Sequence, residues 1–311
     1  MQNKLMMRQK KSGLGKKILN NWQLYLFVVP ALAYYIMLEY LPMYGVQIAF
    51  KDYSARRGIW GSQWVGLEHF ARFFRSPQSV SVIMNTLKIS LVNLLLGFPL
   101  PIIFALFLNE IRCERWKNVV KTVSYAPHFI STVVLAGMIR LFLAPSSGIF
   151  NHLIALLGGQ RVAFLQEARY FVPIVVFSSI WQELGWSSMI YFAALSGVEE
   201  QQTEAAILDG ANQFQRIWHI NLPVLRSTIT IMLIMSVGQI MSVGYEKIYL
   251  LQTSTNLSAS EIISTYVYKC GLANADYSYS AAVGLFNSVV NCVLLILANW
   301  LSKRTTEVGL W

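Results

Sequence analysis

The sequence predicts an all-α integral membrane protein with six transmembrane helices. Hydrophobic residues make up 55% of the 311-residue chain and charged residues only 13%, against roughly 25% charge in soluble domains. The apolar residues are gathered into long runs, and 89–109, 122–139, 227–245 and 277–302 carry no charge at all. Lysine and arginine concentrate between alternate runs, the bias that fixes orientation in a membrane. A soluble enzyme, a disordered chain, a coiled coil and a nucleic-acid module are all disfavoured by this pattern. The formal charge of +10, from 25 Lys+Arg against 15 Asp+Glu, fits contact with anionic lipid and the positive-inside bias, and no nucleic-acid partner is expected.

Residues 1–21 form a basic tail, with Lys4, Arg8, Lys10, Lys11, Lys16 and Lys17. A basic stretch followed by an apolar one can also open a signal peptide. Here the apolar run continues uncharged to Leu38 and no small-x-small cleavage site follows, so 22–42 is expected to be a retained first span. An outer loop is expected at 43–82. The remaining spans are expected at 83–108, 122–143, 170–194, 224–244 and 281–301. Crossing about 30 Å of hydrocarbon takes about 20 helical residues at 1.5 Å each, and the cost of unpaired backbone groups in lipid makes such runs helices. The apolar stretch 149–157 is too short to cross. Flanked by Pro145, Gly148, Gly158 and Gly159, it is expected to be interfacial or partly re-entrant. A short tail, 302–311, closes the chain.

With the N-terminus inside, the inner segments hold 14 basic residues and the longer outer segments nine, which puts both termini in the cytoplasm. Cys113, Cys270 and Cys292 show no paired spacing, and neither a disulfide framework nor a metal site is indicated. Many of the nine Trp and 15 Tyr fall near expected span ends, as in an aromatic belt.

The inner segment before the fifth span is longer than a connector needs. Glu199 to Leu208 is a good helix-forming run, Gly210 follows as a stop or bend, and Phe214, Ile217 and Trp218 share one face of a second short helix. Pro223 suits the first turn of the next span. Two short helices hinged on a glycine form either a docking surface for another protein or an amphipathic pair resting on lipid.

The residues Glu204-Ala205-Ala206, Gly210, Ile220, Leu222 and Pro223 match the signature E-A-A-x₃-G-x₉-I-x-L-P at every spacing. In this the chain resembles the membrane subunits of binding-protein-dependent ABC importers. The resemblance covers nearly the whole chain, and Asn221 stands where Thr is common. Asn85-Thr86-Leu87 and the region Trp181–Gly185 also resemble the family. Tyr40-Leu41-Pro42-Met43-Tyr44-Gly45 and Phe50-Lys51-Asp52-Tyr53 are similar to a narrower group, the permeases of polysaccharide and complex-oligosaccharide importers, including pectin- and alginate-oligosaccharide systems related to the maltose type.

The resemblance implies a type I ABC importer transmembrane fold, with a core five-helix permease domain over 83–301 and a coupling segment at 199–223. It implies that Glu204, Ala205, Ala206, Asp209 and Gly210 contact a cytoplasmic ATPase, with Phe214, Ile217 and Trp218 bracing the helix pair. The implied partners are a second homologous permease subunit, a dimer of ABC ATPase subunits, an extracellular solute-binding protein, an oligosaccharide and membrane lipid. The implied location is the bacterial plasma membrane. The sequence has no G-x-x-x-x-G-K-[ST] loop and no H-E-x-x-H pair. The chain is thus expected to be no enzyme and to bind no cofactor, with ATP and Mg on the partner ATPase. His69, His128, His152 and His219 are scattered and are read as structural.

A sugar path needs polar groups and ring faces inside the bundle, and such groups are costly in lipid. Asn93, Trp181, Gln182, Glu183, Trp186, Gln239 and Asn287 are the candidates, with Tyr191 as a further ring face. Glu183 is the only acid between Tyr170 and Val198. It either meets the sugar or forms a buried pair with Lys88 or Arg140. The alternatives to an ABC permease are a secondary transporter or channel, or a membrane assembly or sensor protein.

Overall fold

The computed structural model describes residues 21–311. The expected basic tail, apart from Asn21, lies outside the described residues. The first helix, α1 (Trp22–Tyr35), runs on through a π-turn at Ile36–Tyr40 and Leu41–Met43 into a 3-10 stretch at Tyr44–Phe50. It is longer than the expected 22–42, and α1 buries none of its apolar side chains. The loop beyond it is structured. Two short antiparallel strands, β1 (Lys51–Asp52) and β2 (Gln63–Trp64), pair Lys51 with Trp64. Helix α2 (Glu68–Arg75) then tucks Phe73 into the core.

The second span begins six residues before the expected 83, at α3 (Pro77–Gly97), because Ser76 caps it: its Oγ accepts the Gln78 N–H at 3.3 Å, and Pro77 sits in the first turn. It continues into α4 (Pro99–Asn109), giving one helical stretch from Pro77 to Asn109. The expected straight span 122–143 is two helices. α5 (Glu114–Tyr125) and a 3-10 turn at Ala126–Phe129 meet α6 (Thr132–Phe142) at 96°. Pro127 and the capping Ser131, whose Oγ accepts the Val134 N–H, account for the break. A short helix, α7 (Ile149–Leu156), occupies the 149–157 stretch.

Helix α8 (Ala168–Leu195) is 28 residues long and central to the fold, packing on α3, α4 and α5. Then come α9 (Glu200–Leu208), α10 (Gln213–Arg216), a π-turn at Ile217–Asn221 and α11 (Leu222–Gly238). The last stretch holds α12 (Tyr245–Leu251), α13 (Ile263–Tyr268) and the 30-residue α14 (Tyr277–Thr306). The fifth expected span ends at Gly238 rather than 244. Gly238 packs so closely on α14 that a Cβ there would lie 2.6 Å from Leu295 Cδ1.

Among the described residues four helical stretches are long and apolar enough to cross a membrane: Trp22–Phe50, Pro77–Asn109, Gln213–Gly238 and Tyr277–Thr306. The bent pair makes a fifth if it crosses as one unit. The structure thus supports a multi-span helical fold but not specifically the expected six spans: α8 is long enough but carries Gln182, Glu183 and several serines through its middle. The core lies in three clusters around α8 and its neighbours. Ile89, Leu135, Ile139, Phe171 and Val176 join α3, α6 and α8. Phe73, Val82, Met241 and Tyr279 join α2, α3 and α14. Ile102, Leu106, Tyr191, Leu195 and Leu225 join α4, α8 and α11.

Candidate functional site

Two regions answer to the sequence reading. The first is the segment from α9 to the π-turn. α9 covers the expected helix, and Gly210 follows with φ +80°, a left-handed conformation that suits glycine and turns the chain sharply. Asn212 then caps α10: its Oδ1 accepts the Gln215 N–H at 2.9 Å, and the Gln215 side chain accepts the Asn212 N–H at 2.8 Å. Helix continues from α10 into α11 through the π-turn, where Pro223 lacks the N–H that a regular turn would use.

This segment is fastened from below by a group that sequence reasoning missed. Glu110, just past α4, accepts from Arg216 Nη2 at 2.7 Å and from Asn221 Nδ2 at 3.3 Å. The side chains of Arg216 and Glu110 are 9% and 15% exposed. Arg216 also donates to Ala211 O at 3.2 Å, closing the chain around the bend. Asn221 is thus more than a minor replacement in the motif: it is buried and bonded to the same carboxylate.

Glu204, Ala205, Asp209 and Gly210 are exposed and Ala206 is half-buried. Neither Glu204 nor Asp209 forms an ion pair among the described residues. The expected bracing is corrected in part. Ile217 packs on the core with Leu225, but Phe214 and Trp218 point outward, with Trp218 68% exposed. With Ile207 and Leu208 also exposed, the segment presents apolar side chains beside a shallow groove of about 320 Å³ lined by Ala206, Asp209, Gly210, Gln215 and His219.

The second region is a cavity of about 640 Å³ between α3, α4, α8 and the end of α11. Asn93, Glu183, Trp186 and Gln239 line it, as does Tyr191. Ser90, Ser179, Ser187, Ser236 and Ser242 add hydroxyls. Trp181, Gln182 and Asn287 are not part of this wall. Trp181 lies on another face of α8. Gln182 is buried and donates to Ile130 O at 2.9 Å, satisfying a carbonyl freed by the break before α6. Asn287 sits in α14 with its Oδ1 buried and unbonded among the described residues.

Glu183 pairs with neither Lys88 nor Arg140. Its Oε2 lies 3.0 Å from His128 Nδ1, while Arg140 donates to Leu250 O. His128 stacks flat on Trp186, with centroids 4.2 Å apart and 3° between the planes. The bend between α5 and α6 brings His128 onto α8, so the scattered histidine of the sequence touches Glu183 and Trp186, two residues of the cavity wall, without lining the cavity itself. Gly185 allows this approach: a Cβ there would fall 2.2 Å from Ser124 O. Lys247, also missed, is buried behind the wall, with its Nζ 3.1 Å from Ser179 Oγ. These groups are 55 and 68 residues from their partners, so no local pattern announces them.

Several long apolar helices, a cavity with sparse polar lining and an exposed helix-glycine-helix segment before a penultimate span define a membrane subunit of a transport system. The model for binding-protein-dependent transport system inner membrane components matches residues 97–307, and the chain belongs to that family. It is a non-catalytic permease subunit of an ABC importer. It is 44% identical over 288 residues to Protein LplB of Bacillus subtilis (strain 168), covering 93% of this chain and 91% of that protein. It is 41% identical over 304 residues to the polygalacturonan/rhamnogalacturonan transport system permease protein YteP of the same organism, covering 98% and 95%. It is also similar to a chain in the crystal structure of a bacterial alginate ABC transporter in complex with alginate pentasaccharide-bound periplasmic protein. There the TM-score is 0.89 and the identity 39%, over 96% of this chain and 100% of that one.

Proposed function

We propose that the chain forms part of the membrane path for an oligosaccharide delivered by an extracellular binding protein, and that segment 199–223 couples that path to cytoplasmic ATPase subunits. The observation that carries this reading is the exposed, glycine-hinged segment fastened to the membrane core through Glu110. An exposed apolar surface next to a bend suits a partner protein better than it suits water. The buried Arg216–Glu110 pair gives a rigid connection by which movement of that surface reaches α4 and α11. The likeness to a polygalacturonan/rhamnogalacturonan permease and to an alginate transporter supports an oligosaccharide as cargo.

Six crossings complete the reading: the four long helical stretches, the bent pair α5–α6, and α8. At 1.5 Å per residue α8 is about 42 Å long, enough to cross, and Ser179, Glu183 and Ser187 of its polar middle line the cavity. Both termini then lie in the cytoplasm of a bacterial cell, and the complex holds a second permease subunit, two ATPase subunits and a solute-binding protein. ATP and Mg belong to the ATPase. Copurification tests the partnership. The chain, expressed with its partner subunits, is expected to bring down an ABC ATPase, and removing 200–210 should release it. Retention of the ATPase without that segment contradicts the assignment.

A further inference from the structure

The loop after the first helix carries a surface that neither the cavity nor segment 199–223 uses. Two helical stretches fix its depth. From Trp22 to Tyr44 the first stretch rises about 33 Å at 1.5 Å per residue, about the thickness of the hydrocarbon layer. Tyr44 therefore lies at the membrane surface opposite Trp22. α14 gives the same level from the other direction. Counting back from Lys303 the about 20 residues of a crossing leaves Tyr277 about 9 Å beyond the hydrocarbon. The loop is tied to that end of α14. Tyr53 N–H donates to Ser278 Oγ at 2.9 Å, and Arg72 of α2 pairs with Asp276 at 2.8 Å. Strands β1 and β2, with the helical turn Gly58–Gly61 between them, thus stand at the level of the lipid headgroups.

At this level the loop turns large apolar side chains outward. Trp60 is 83% exposed and Trp64 60%, and Leu67 is exposed after them. Each indole is backed by a ring from the end of the first stretch. Tyr44 lies 5.4 Å from Trp60, and Phe50 stacks on Trp64 at 5.8 Å with 8° between the planes. Residues 51–67 hold the cations Lys51, Arg56 and Arg57 against one acid, Asp52. Lys51 Nζ donates to Ile59 O, and Arg57 pairs with Asp52. Arg56 is exposed and forms no ion pair among the described residues.

We propose that residues 51–67 form an interfacial anchor lying in the headgroup layer of the membrane, with Trp60, Trp64 and Leu67 seated at the boundary with the acyl chains. Depth, ring chemistry and charge all select lipid as the occupant. An indole is apolar over its ring and donates through its N–H, which suits a boundary dry on one side and wet on the other. A guanidinium matches phosphate geometry, and Arg56 is placed to meet it. A loop standing in water would leave the whole patch uncovered. The anchor has a use, because α1 buries none of its side chains. The loop holds the far end of that helix at a set depth. The proposal needs only that the two stretches cross; neither cargo nor ATPase enters it.

The test uses the full transporter complex in vesicles of phosphatidylcholine and phosphatidylglycerol. Cys113, Cys270 and Cys292 are replaced, and a fluorescent label is attached at Trp60→Cys or at Leu67→Cys. Lipids brominated about 5–10 Å into the leaflet, the depth of an interfacial apolar face, should quench both labels at least about twofold. Soluble iodide should quench them little. A label at Gln202→Cys, on the exposed α9, gives the reference that brominated lipid leaves bright. Adding loaded binding protein should not change the quenching at 60 and 67. Where Trp60→Cys disturbs the loop, the label at 67 carries the test alone, since no ring backs Leu67. Quenching by iodide and not by brominated lipid overturns the proposal, because the loop then stands in water. Quenching by neither overturns it in favour of a cover by the second permease subunit. Lipid quenching that disappears when loaded binding protein is added overturns it too, because the surface is then the seat of that protein.

Discussion

Glu110→Ala removes the group that fastens segment 199–223, the proposed coupling segment, to the membrane core. In the wild type its two carboxylate oxygens hold Arg216 at 2.7 Å and Asn221 at 3.3 Å. The substitution leaves Arg216 with the Ala211 carbonyl, while its Nε already lacks a partner among the described residues. Removing one partner of a buried ion pair costs about 3–5 kcal/mol. The small solvent access of this pair lowers that to about 2–4 kcal/mol, and the orphaned Asn221 amide overlaps with it rather than adding in full. The loss should be local, because α10 keeps its own capping box. About 3 kcal/mol corresponds to a change on the order of 100-fold in an opening equilibrium. Hydrogen exchange on the assembled complex should therefore show amides of 211–221 exchanging on the order of 100-fold faster, with the core of α8 unchanged. ATP hydrolysis stimulated by loaded binding protein should fall in step. Glu110→Gln, which keeps an acceptor but no charge, should lie between. Wild-type exchange over 211–221 in Glu110→Ala would refute this account of the fastening.

Glu183→Gln should reduce uptake more than it reduces assembly, and Glu183→Leu more strongly still, because it also strips His128 of its partner. Uptake in proteoliposomes at a fixed amount of intact complex checks this, and wild-type rates in both variants would remove Glu183 from the path. Gly185→Ala should destabilise the contact of α8 with α5 by about 1–3 kcal/mol or more. Its Cβ would meet backbone atoms of Ser124 that no side-chain rotation can clear. A thermal-unfolding midpoint equal to wild type would contradict that packing. In a background without Cys113, Cys270 and Cys292, Gln160→Cys should be labelled by an impermeant reagent only from outside and Gln202→Cys only from inside. Labelling at 202 from outside reverses the orientation.

Much of the membrane architecture is legible in the sequence because it rests on run length and charge, which are local. The helix-glycine-helix shape of segment 199–223 is legible for the same reason: Gly210, the helix-forming run before it and Pro223 each act within a few residues of themselves. What sequence did not disclose depends on residues far apart. The bend at 130–131 turns an expected span into two helices, and only that bend carries His128 to Glu183, 55 residues away. Glu110 and Arg216 are 106 residues apart, and Glu110 closes an apolar run where a charge is unremarkable. Gln182 and Glu183 are neighbours in sequence yet divide their roles. Gln182 satisfies a backbone carbonyl and Glu183 faces the cavity, because adjacent positions on a helix point about 100° apart. Lys88 and Arg140 are plausible partners for Glu183 by composition. Lys88 is instead exposed on α3, and Arg140 is bound to the Leu250 carbonyl.

The central claim is that movement of segment 199–223 against an ATPase drives sugar through the cavity. Gly210→Asp tests it most directly. The site has φ +80° and a Cβ there would meet nothing within 4 Å among the described residues, so the cost to the fold is backbone strain of about 1–2 kcal/mol, while the new charge lands on the exposed bend. In proteoliposomes holding the intact complex, wild type should accumulate oligosaccharide only with ATP and loaded binding protein. Gly210→Asp complexes of equal amount should accumulate almost none. Uptake that proceeds without ATP, or that is unchanged in Gly210→Asp, contradicts the claim.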